Sequence, residues 1–174
     1  MKKSILYVLL LCTFSFMSCS GGDEPIGEKA YVDLGLPSGI LWCNQNETNE
    51  DDAYGLYNYN EAVSAFGTSS IPASSHWQEL FDKCTATWTG KGYKLTGPNG
   101  NHIYLPAAGC REWNGDMSYA VGVGGFYWAN GTFGSGYAFG IRFTQYSINT
   151  DADIYTKYLK DTGGSVRLIR YQDK

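Results

Sequence analysis

The residues best suited to ligand binding lie in one short segment beyond the middle of the chain. There, Trp113, Asn114 and Asp116 surround Gly115, and Tyr119 follows three residues later. Aromatic faces stack on sugars and provide rigid contact area at low entropic cost. Asn, Gly and Asp favour a turn, and loops carried on a rigid scaffold are where binding residues concentrate. We therefore predict a ligand-binding surface at Trp113, Asn114, Asp116 and Tyr119.

Other aromatic residues leave two interpretations open. Tyr137 and Tyr146 also lie beside glycine or serine, or close to asparagine, so they are further candidates for an exposed binding surface. The alternative is that most of these rings fill the core of a domain built from small sheets. For Tyr127 and Trp128, which are adjacent in a short apolar run, we expect burial in the core.

Catalytic and metal-binding chemistry has little support. The only histidines are His76 and His102, and the sequence contains no CxxC pair, no GxSxG elbow and no complete GxGxxG loop. Two acidic runs could offer oxygen ligands to Ca²⁺, but neither matches an EF-hand loop, and such runs are usually solvated. We predict no enzyme activity, no cofactor and no bound metal. The acidic residues concerned are Glu47, Glu50, Asp51, Asp52, Asp151 and Asp153.

Three cysteines follow the N-terminal region, namely Cys43, Cys84 and Cys110. An oxidising compartment would permit one disulfide and leave one thiol, and the sequence alone allows all three pairings. The remaining thiol could serve as a nucleophile, although no motif places either histidine beside it. It could equally be a small buried hydrophobic residue.

The N-terminus has the composition of an export signal. Lys2 and Lys3 precede an apolar stretch at residues 5–17, which is shorter than the roughly 20 residues of a membrane-spanning helix. Ser18 then precedes Cys19, and the sequence FMSC at residues 16–19 resembles a bacterial lipobox. That resemblance implies a signal peptide at residues 1–18, acylation of Cys19, and an acidic flexible linker at residues 19–29. The alternative is an ordinary cleaved signal with an unmodified Cys19.

Composition limits the partners and the fold. Removing Lys2 and Lys3 from the 13 basic residues leaves 11 against 17 acidic ones, a net charge of −6 that argues against nucleic acid. The chain is 16% aromatic, contains 22 glycines and is only 17% charged, which favours many short strands and loops over a helical bundle. Residues 30–174 are long enough for one domain with a sizeable core.

Two helices are indicated by periodicity. In residues 75–84, Ser75 and Gln78 have the spacing of a capping box, and the apolar residues follow helical spacing. A shorter helix at residues 61–66 would end at Gly67. The apolar face of the longer helix would be formed by Trp77, Leu80, Phe81 and Cys84.

Strands are indicated on both sides of these helices. Residues 31–34 and 40–43 have strand character, and residues 44–52 are predicted to be a polar loop. Residues 93–105 alternate around Asn99-Gly100, which predicts a hairpin with His102 facing solvent. The final strand, residues 165–170, would place Val166, Leu168 and Arg170 on one face.

Eight phrases, in order, resemble the Fibrobacter succinogenes major paralogous domain, a family common in surface lipoproteins of gut Bacteroidota. The resemblance covers nearly all of residues 30–171. It implies an α+β domain of the C-type-lectin-like fold, with two small mostly antiparallel sheets, one or two helices and long loops. The phrases are YVDLGLPSG (31–39), LW (41–42), YGLYNY (54–59), WQEL (77–80), GYKLTGPNGN (92–101), IYLPAAG (103–109), GFYW (125–128) and SVRLIR (165–170).

The resemblance also carries expectations about residues and location. It implies a Cys43–Cys84 disulfide and leaves Cys110 as the odd thiol, because that position is usually Tyr in the family. Acidic residues soon after Cys19 resemble the signal for transfer to the cell surface, with periplasmic retention as the alternative. We therefore expect an outer-membrane lipoprotein that binds a glycan or a protein outside the cell. The alternative is an accessory subunit of a surface assembly.

Overall fold

The computed structural model describes residues 28–148 and 156–172, which form short strands and two α-helices. Helix α1 is Tyr59–Phe66 and helix α2 is Ser74–Lys83, with a 3₁₀ turn at Thr68–Ser70 between them. No helix in the described ranges is long and apolar enough to span a membrane. The strands are β1 Tyr31–Asp33, β2 Ile40–Glu47, β3 Thr85–Trp88, β4 Gly92–Thr96, β5 His102–Pro106, β6 Cys110–Arg111, β7 Met117–Tyr119, β8 Gly124–Phe133, β9 Tyr137–Thr144, β10 Ser147–Ile148, β11 Thr156–Leu159 and β12 Val166–Tyr171.

The strands form several small antiparallel sheets, which confirms the predicted α+β class. One sheet has the order β1-β2-β12, and another has the order β3-β4-β5. In a third, β9 pairs with β8 on one side and with β10 and β11 on the other, while β6 and β7 form a separate two-stranded ribbon. The prediction of two sheets was therefore wrong, since the described residues alone form four.

The β8–β9 pair separates two hydrophobic cores. Because side chains alternate between the faces of a strand, successive residues of β8 enter different cores, as Phe126 and Tyr127 do. Both rings are fully buried, and so is the neighbouring Trp128, as predicted. The first core includes Trp42, Trp77, Tyr127, Ala129, Ile141, Phe143 and Ile169, and the second includes Cys43, Tyr59, Phe126, Trp128, Ala138, Val166 and Leu168.

Local sequence signals explain where α1 begins and ends. The Asn58 side chain accepts a hydrogen bond from the Glu61 backbone N–H at 2.9 Å, and the Glu61 carboxylate accepts one from the Asn58 N–H at 2.8 Å. This reciprocal pair satisfies two N–H groups that a helix otherwise leaves without partners. The helix ends at Phe66, before Gly67, where the sequence predicts its end.

Helix α2 has the predicted buried face but a different N-terminus. Trp77 is fully buried, and its indole donates to the Trp128 carbonyl oxygen at 3.3 Å. The predicted Ser75–Gln78 capping box is wrong: Gln78 instead donates to Asp82, one turn along the helix. The N-cap is Ala73, and His76, the third residue of the helix, caps it: its Nδ1 accepts from the Ala73 N–H at 3.1 Å.

The predicted hairpin is confirmed as β4–β5. Its turn contains Gly100 at φ +89°, a conformation that glycine adopts without strain. His102 is exposed at the start of β5, as predicted.

Strands β2 and β12 differ from the predicted pattern. The first four residues of the predicted polar loop are the second half of β2, where β12 pairs with Glu47 and Asn46. The register between the two strands shifts between Arg167 and Ile169, with the extra residues on β2. Val166 and Leu168 pack in the same core and so share a face, as predicted, whereas Arg170 is exposed near the end of the strand. Arg167, between Val166 and Leu168, is completely buried because both faces of β12 are covered.

The expected Cys43–Cys84 disulfide is not formed. Cys43, Cys84 and Cys110 are all free and buried. Cys43 packs in the second core with β12, whereas Cys84 follows α2 and packs in the first core. The two thiols therefore act as small hydrophobic residues in separate cores.

Candidate binding surface

The predicted binding segment forms a tight hairpin that presents Trp113 to solvent. The Gly115 N–H donates to the Glu112 carbonyl oxygen at 3.0 Å, and the Glu112 N–H donates to the Asp116 carbonyl oxygen at 2.7 Å. Gly115 has φ +90°, which explains why glycine occupies this position of the turn. Trp113 lies within the turn and is 68% exposed. The sequence prediction of a turn at this position is confirmed.

Asn114 and Asp116 stiffen that turn. The Asn114 side-chain amide donates to Asp116 Oδ2 at 2.8 Å, and Asn114 Oδ1 accepts from the Asp116 backbone N–H at 3.1 Å. Both residues are exposed, so the indole, an amide and a carboxylate occupy one surface. The backbone of Tyr119 pairs with Cys110 across the ribbon. The Tyr119 side chain lies outside the described part of the chain, and its predicted contact with the site stays a prediction.

Arg111 attaches the hairpin to two other loops. Its backbone N–H donates to the Gly163 carbonyl oxygen at 3.0 Å and its carbonyl oxygen accepts from the Gly163 N–H at 2.7 Å. Its Nε lies 2.9 Å from Asp52 Oδ2, which is a close ion pair without the alignment of a hydrogen bond. Trp113 is thus carried on a hairpin fixed at its base, the condition under which an exposed ring loses little entropy on binding.

Asp52 holds its own loop together, a role that the surrounding acidic sequence did not predict. Its Oδ1 accepts from the Tyr54 N–H at 2.9 Å and from the Leu56 N–H at 3.1 Å, and its side chain is only 11% exposed. The prediction that this acidic run is a solvated loop is therefore wrong at Asp52. Tyr54, two residues later, is 49% exposed on the loop that the ion pair joins to the Trp113 hairpin.

An open groove lies beside the same loop. It has a volume of about 500 Å³ and is lined by Asn49, Asp51, Tyr57, Asn60 and Glu61, with two small residues of α1. Part of this lining is committed to the fold: the Tyr57 hydroxyl donates to the Thr48 carbonyl oxygen, and the Glu61 carboxylate caps α1. The Asn49 side chain is also committed, because it donates to the Leu56 carbonyl oxygen and accepts from the Asp51 N–H. The groove therefore offers the Asn60 amide and the Asp51 carboxylate to a ligand.

The free thiols lack the surroundings of a nucleophile. Burial raises the pKa of Cys84 to about 11, and burial also raises the pKa of Cys110, where a hydrogen bond with Ser118 acts in the opposite direction. A raised pKa leaves the thiol protonated at neutral pH, and the thiolate is the reactive form. The interpretation of Cys110 as a buried hydrophobic residue fits this environment better than a nucleophilic role.

Several predicted positions lie apart from the hairpin or outside the described chain. Within residues 28–148 and 156–172, no three His, Cys, Asp or Glu side chains come together as a metal site. Asp151, Asp153 and Cys19 lie outside those residues. Tyr137 begins β9 and is 45% exposed, and Tyr146 lies in the β9–β10 turn and is 88% exposed.

Arg167 is the buried polar residue that sequence reasoning missed. Its Nε donates to Asn46 Oδ1 at 2.9 Å, Nη1 to the Cys43 carbonyl oxygen at 2.7 Å, and Nη2 to the Tyr104 carbonyl oxygen at 2.7 Å. Burial lowers its pKa, while the neighbouring Tyr127 acts in the opposite direction. These three acceptors are neutral, so the guanidinium joins β12 to β2 and β5 by directed hydrogen bonds. The alternating pattern of the last strand did not predict that Arg167 is buried.

Comparison of the chain with protein-family models, with curated proteins and with solved structures found no match. A functional assignment therefore depends on the surface described above and on the sequence patterns.

Proposed function

We propose that this chain is a lipid-anchored extracellular binding module for a glycan or a protein, acting without catalysis. The observation that carries the proposal is Trp113, an indole 68% exposed on a turn whose base is fixed by Arg111. Leaving so large an apolar ring in water has no benefit for folding. The neighbouring Asn114 and Asp116 supply polar groups of the kind that orient a sugar ring stacked on an aromatic face.

The finer fold and family assignments belong to the same proposal. We place the domain in the C-type-lectin-like class and in the family that the eight sequence phrases resemble. In support, each of these phrases supplies at least one buried residue. Examples, one from each phrase in order, are Leu34, Trp42, Leu56, Trp77, Leu95, Leu105, Trp128 and Arg167. The last phrase forms β12, which pairs with β2 near the start of the domain.

Attachment through Cys19 would place this surface outside the cell. We propose anchoring in the outer membrane with display on the cell surface, supported by the FMSC sequence and the acidic residues Asp23 and Glu24. The 11 residues between Cys19 and Tyr31 could extend over roughly 35 Å, enough to separate the domain from the lipid headgroups. Retention in the periplasm is the competing location.

A glycan-array screen of residues 20–174, with Ca²⁺ and with a chelator, tests the proposed function. All described core residues lie after residue 30, so this lipid-free chain keeps both cores. Trp113→Ala should weaken a specific hit by about tenfold, which corresponds to about 1.4 kcal/mol of lost stacking. Tyr171→Ala, which removes an exposed ring from the end of β12, is the control and should leave binding unchanged.

The same screen separates the competing functions. Loss of binding on chelation would indicate that acidic residues hold Ca²⁺ at the site. No binding to any glycan by well-folded protein would refute the glycan-binding form of the proposal. Co-purification of fixed partner proteins from solubilised membranes would then favour an accessory subunit of a surface assembly.

A further inference from the structure

One end of the sheet formed by β8, β9 and β11 carries a row of exposed apolar side chains. Phe133 on β8 lies directly opposite Tyr137 on β9, and Tyr137 lies directly opposite Leu159 on β11. Residues directly opposite each other in antiparallel strands point to the same face. All three side chains therefore project from one face, and they are 51%, 45% and 39% exposed, respectively. We call these three residues the apolar row.

The apolar row is an uncovered extension of a core surface. On β9, Tyr137, Phe139, Ile141 and Phe143 share one face because they alternate along the strand. Exposure falls along this series from 45% at Tyr137, through the partly buried Phe139, to 1% at Ile141 and Phe143. The face that the first core covers at one end of the strand is therefore open to solvent at the other.

The ammonium group of Lys157 lies beside the apolar row. Lys157 on β11 lies two residues before Leu159 and so shares its face. Its ammonium lies 3.2 Å from the centroid of the Phe133 ring, within the range of a cation–π contact. Since β9 separates β11 from β8, the Lys157 side chain reaches across β9 to make this contact. An ammonium has three N–H donors, so one face of it remains able to bind an anion.

The area of the apolar row favours a small ligand. An aromatic side chain has roughly 200 Å² of surface, so the row exposes roughly 250–300 Å² in total. A stable protein interface or dimer needs about 800 Å² on each partner. A row of this size matches one or two sugar rings, whose apolar faces stack on aromatic side chains.

We propose that the apolar row and Lys157 form a second binding site, for a glycan that contains a uronic acid. The sugar ring stacks on Tyr137 and Leu159, and its carboxylate pairs with the Lys157 ammonium. This site lies on the β8–β9–β11 sheet and uses no residue of the Trp113 hairpin. Evidence against one of the two sites is therefore not evidence against the other.

Calorimetric titration of residues 20–174 with tetragalacturonate tests this site. Lys157→Met keeps the apolar stem and removes the charge, and it should weaken binding at least fivefold. Tyr137→Ser should weaken it to a similar extent, and the methyl ester of the same oligosaccharide, which lacks the charge, should bind correspondingly weakly. Lys83→Met, at an exposed lysine that ends α2, is the control and should bind as the unchanged protein does. Loss of tetragalacturonate binding in Trp113→Ala, with binding kept in Lys157→Met, would assign the ligand to the Trp113 hairpin and overturn the proposal.

Other results would overturn the proposal. Undetectable binding of tetragalacturonate, or equal binding of its methyl ester, would exclude recognition of the carboxylate. An equal loss in Lys83→Met would reduce the effect to general charge attraction. Dimerisation in sedimentation experiments that Tyr137→Ser abolishes would instead assign the apolar row to a second copy of the chain. Thermal unfolding of each variant distinguishes a lost contact from a lost fold.

Discussion

Replacement of Arg167 by methionine tests how a buried charge stabilises this domain. The change leaves three acceptors in the protein interior without their donor, namely Asn46 Oδ1 and the carbonyl oxygens of Cys43 and Tyr104. Each unsatisfied acceptor costs about 1–3 kcal/mol, or about 3–9 kcal/mol together. Methionine, however, avoids the several kcal/mol needed to take a guanidinium out of water.

The balance of these terms gives the expected result. Because all three donors are well placed at 2.7–2.9 Å, we expect the lost hydrogen bonds to dominate. The free energy of unfolding should fall by about 2–4 kcal/mol, out of the 5–15 kcal/mol typical of a domain. Urea unfolding followed by tryptophan fluorescence measures it as a lower midpoint with an unchanged slope.

Arg170→Met is the matched control on the same strand. Arg170 is exposed, and its guanidinium lies 4.8 Å from the centroid of the Tyr31 ring. A contact of this kind contributes about 0.5–1 kcal/mol at an exposed site, so the control should lose no more than that. An Arg167→Met protein as stable as the original would refute the reasoning, because charge burial would then outweigh the three hydrogen bonds.

Three further experiments test the contacts of Asp52, His76 and the buried cysteines. Asp52→Asn should destabilise the chain by about 2 kcal/mol in urea unfolding, because the ion pair with Arg111 loses its charge; an unchanged midpoint would show that the loops are held without it. Burial lowers the pKa of His76 from its usual 6.5, so this imidazole binds a proton more readily in the unfolded chain than in the folded one. The free energy of unfolding should therefore fall as the pH drops below 6.5 towards the pKa of His76 in the folded state. His76→Gln keeps an acceptor for the Ala73 N–H and should flatten that part of a stability–pH curve, whereas an unaltered curve would assign the dependence to other groups. In the native domain, a thiol reagent should react slowly with Cys43, Cys84 and Cys110, because all three are buried. In denaturant without reductant, all three should react rapidly. If only one thiol of residues 20–174 reacted in denaturant, the other two would be joined in a disulfide.

Features with short-range causes were predictable from the sequence. Helix α1 ends before Gly67, the β4–β5 hairpin turns at Asn99-Gly100, and the apolar residues of α2 have helical spacing. In each case the residues that determine the structure lie within a few positions of each other. Trp113 was also found this way, because Asn114 and Gly115 define the turn that exposes it.

Features that depend on distant partners were not predictable. Asp52 looked like part of a solvated acidic run, and only the fold places Arg111 beside it. Arg167 alternates with Val166 and Leu168, and only the fold shows that both faces of β12 are covered, since those two residues lie in the second core and Ile169 in the first. The predicted capping box at Ser75 and Gln78 is replaced by a cap at Ala73 and His76, two residues earlier along the chain. One sequence does not contain the information that separates these alternatives.

The pairing of β12 with β2 has a consequence for when the chain can fold. Arg167 and its acceptor Asn46 are 121 residues apart, and β12 also contributes Val166 and Ile169 to the two cores. Contacts between such distant segments form slowly and late. Neither core is complete until residues 166–169 have been synthesised. On the proposed route of export, the domain would remain unfolded until β12 had crossed the membrane.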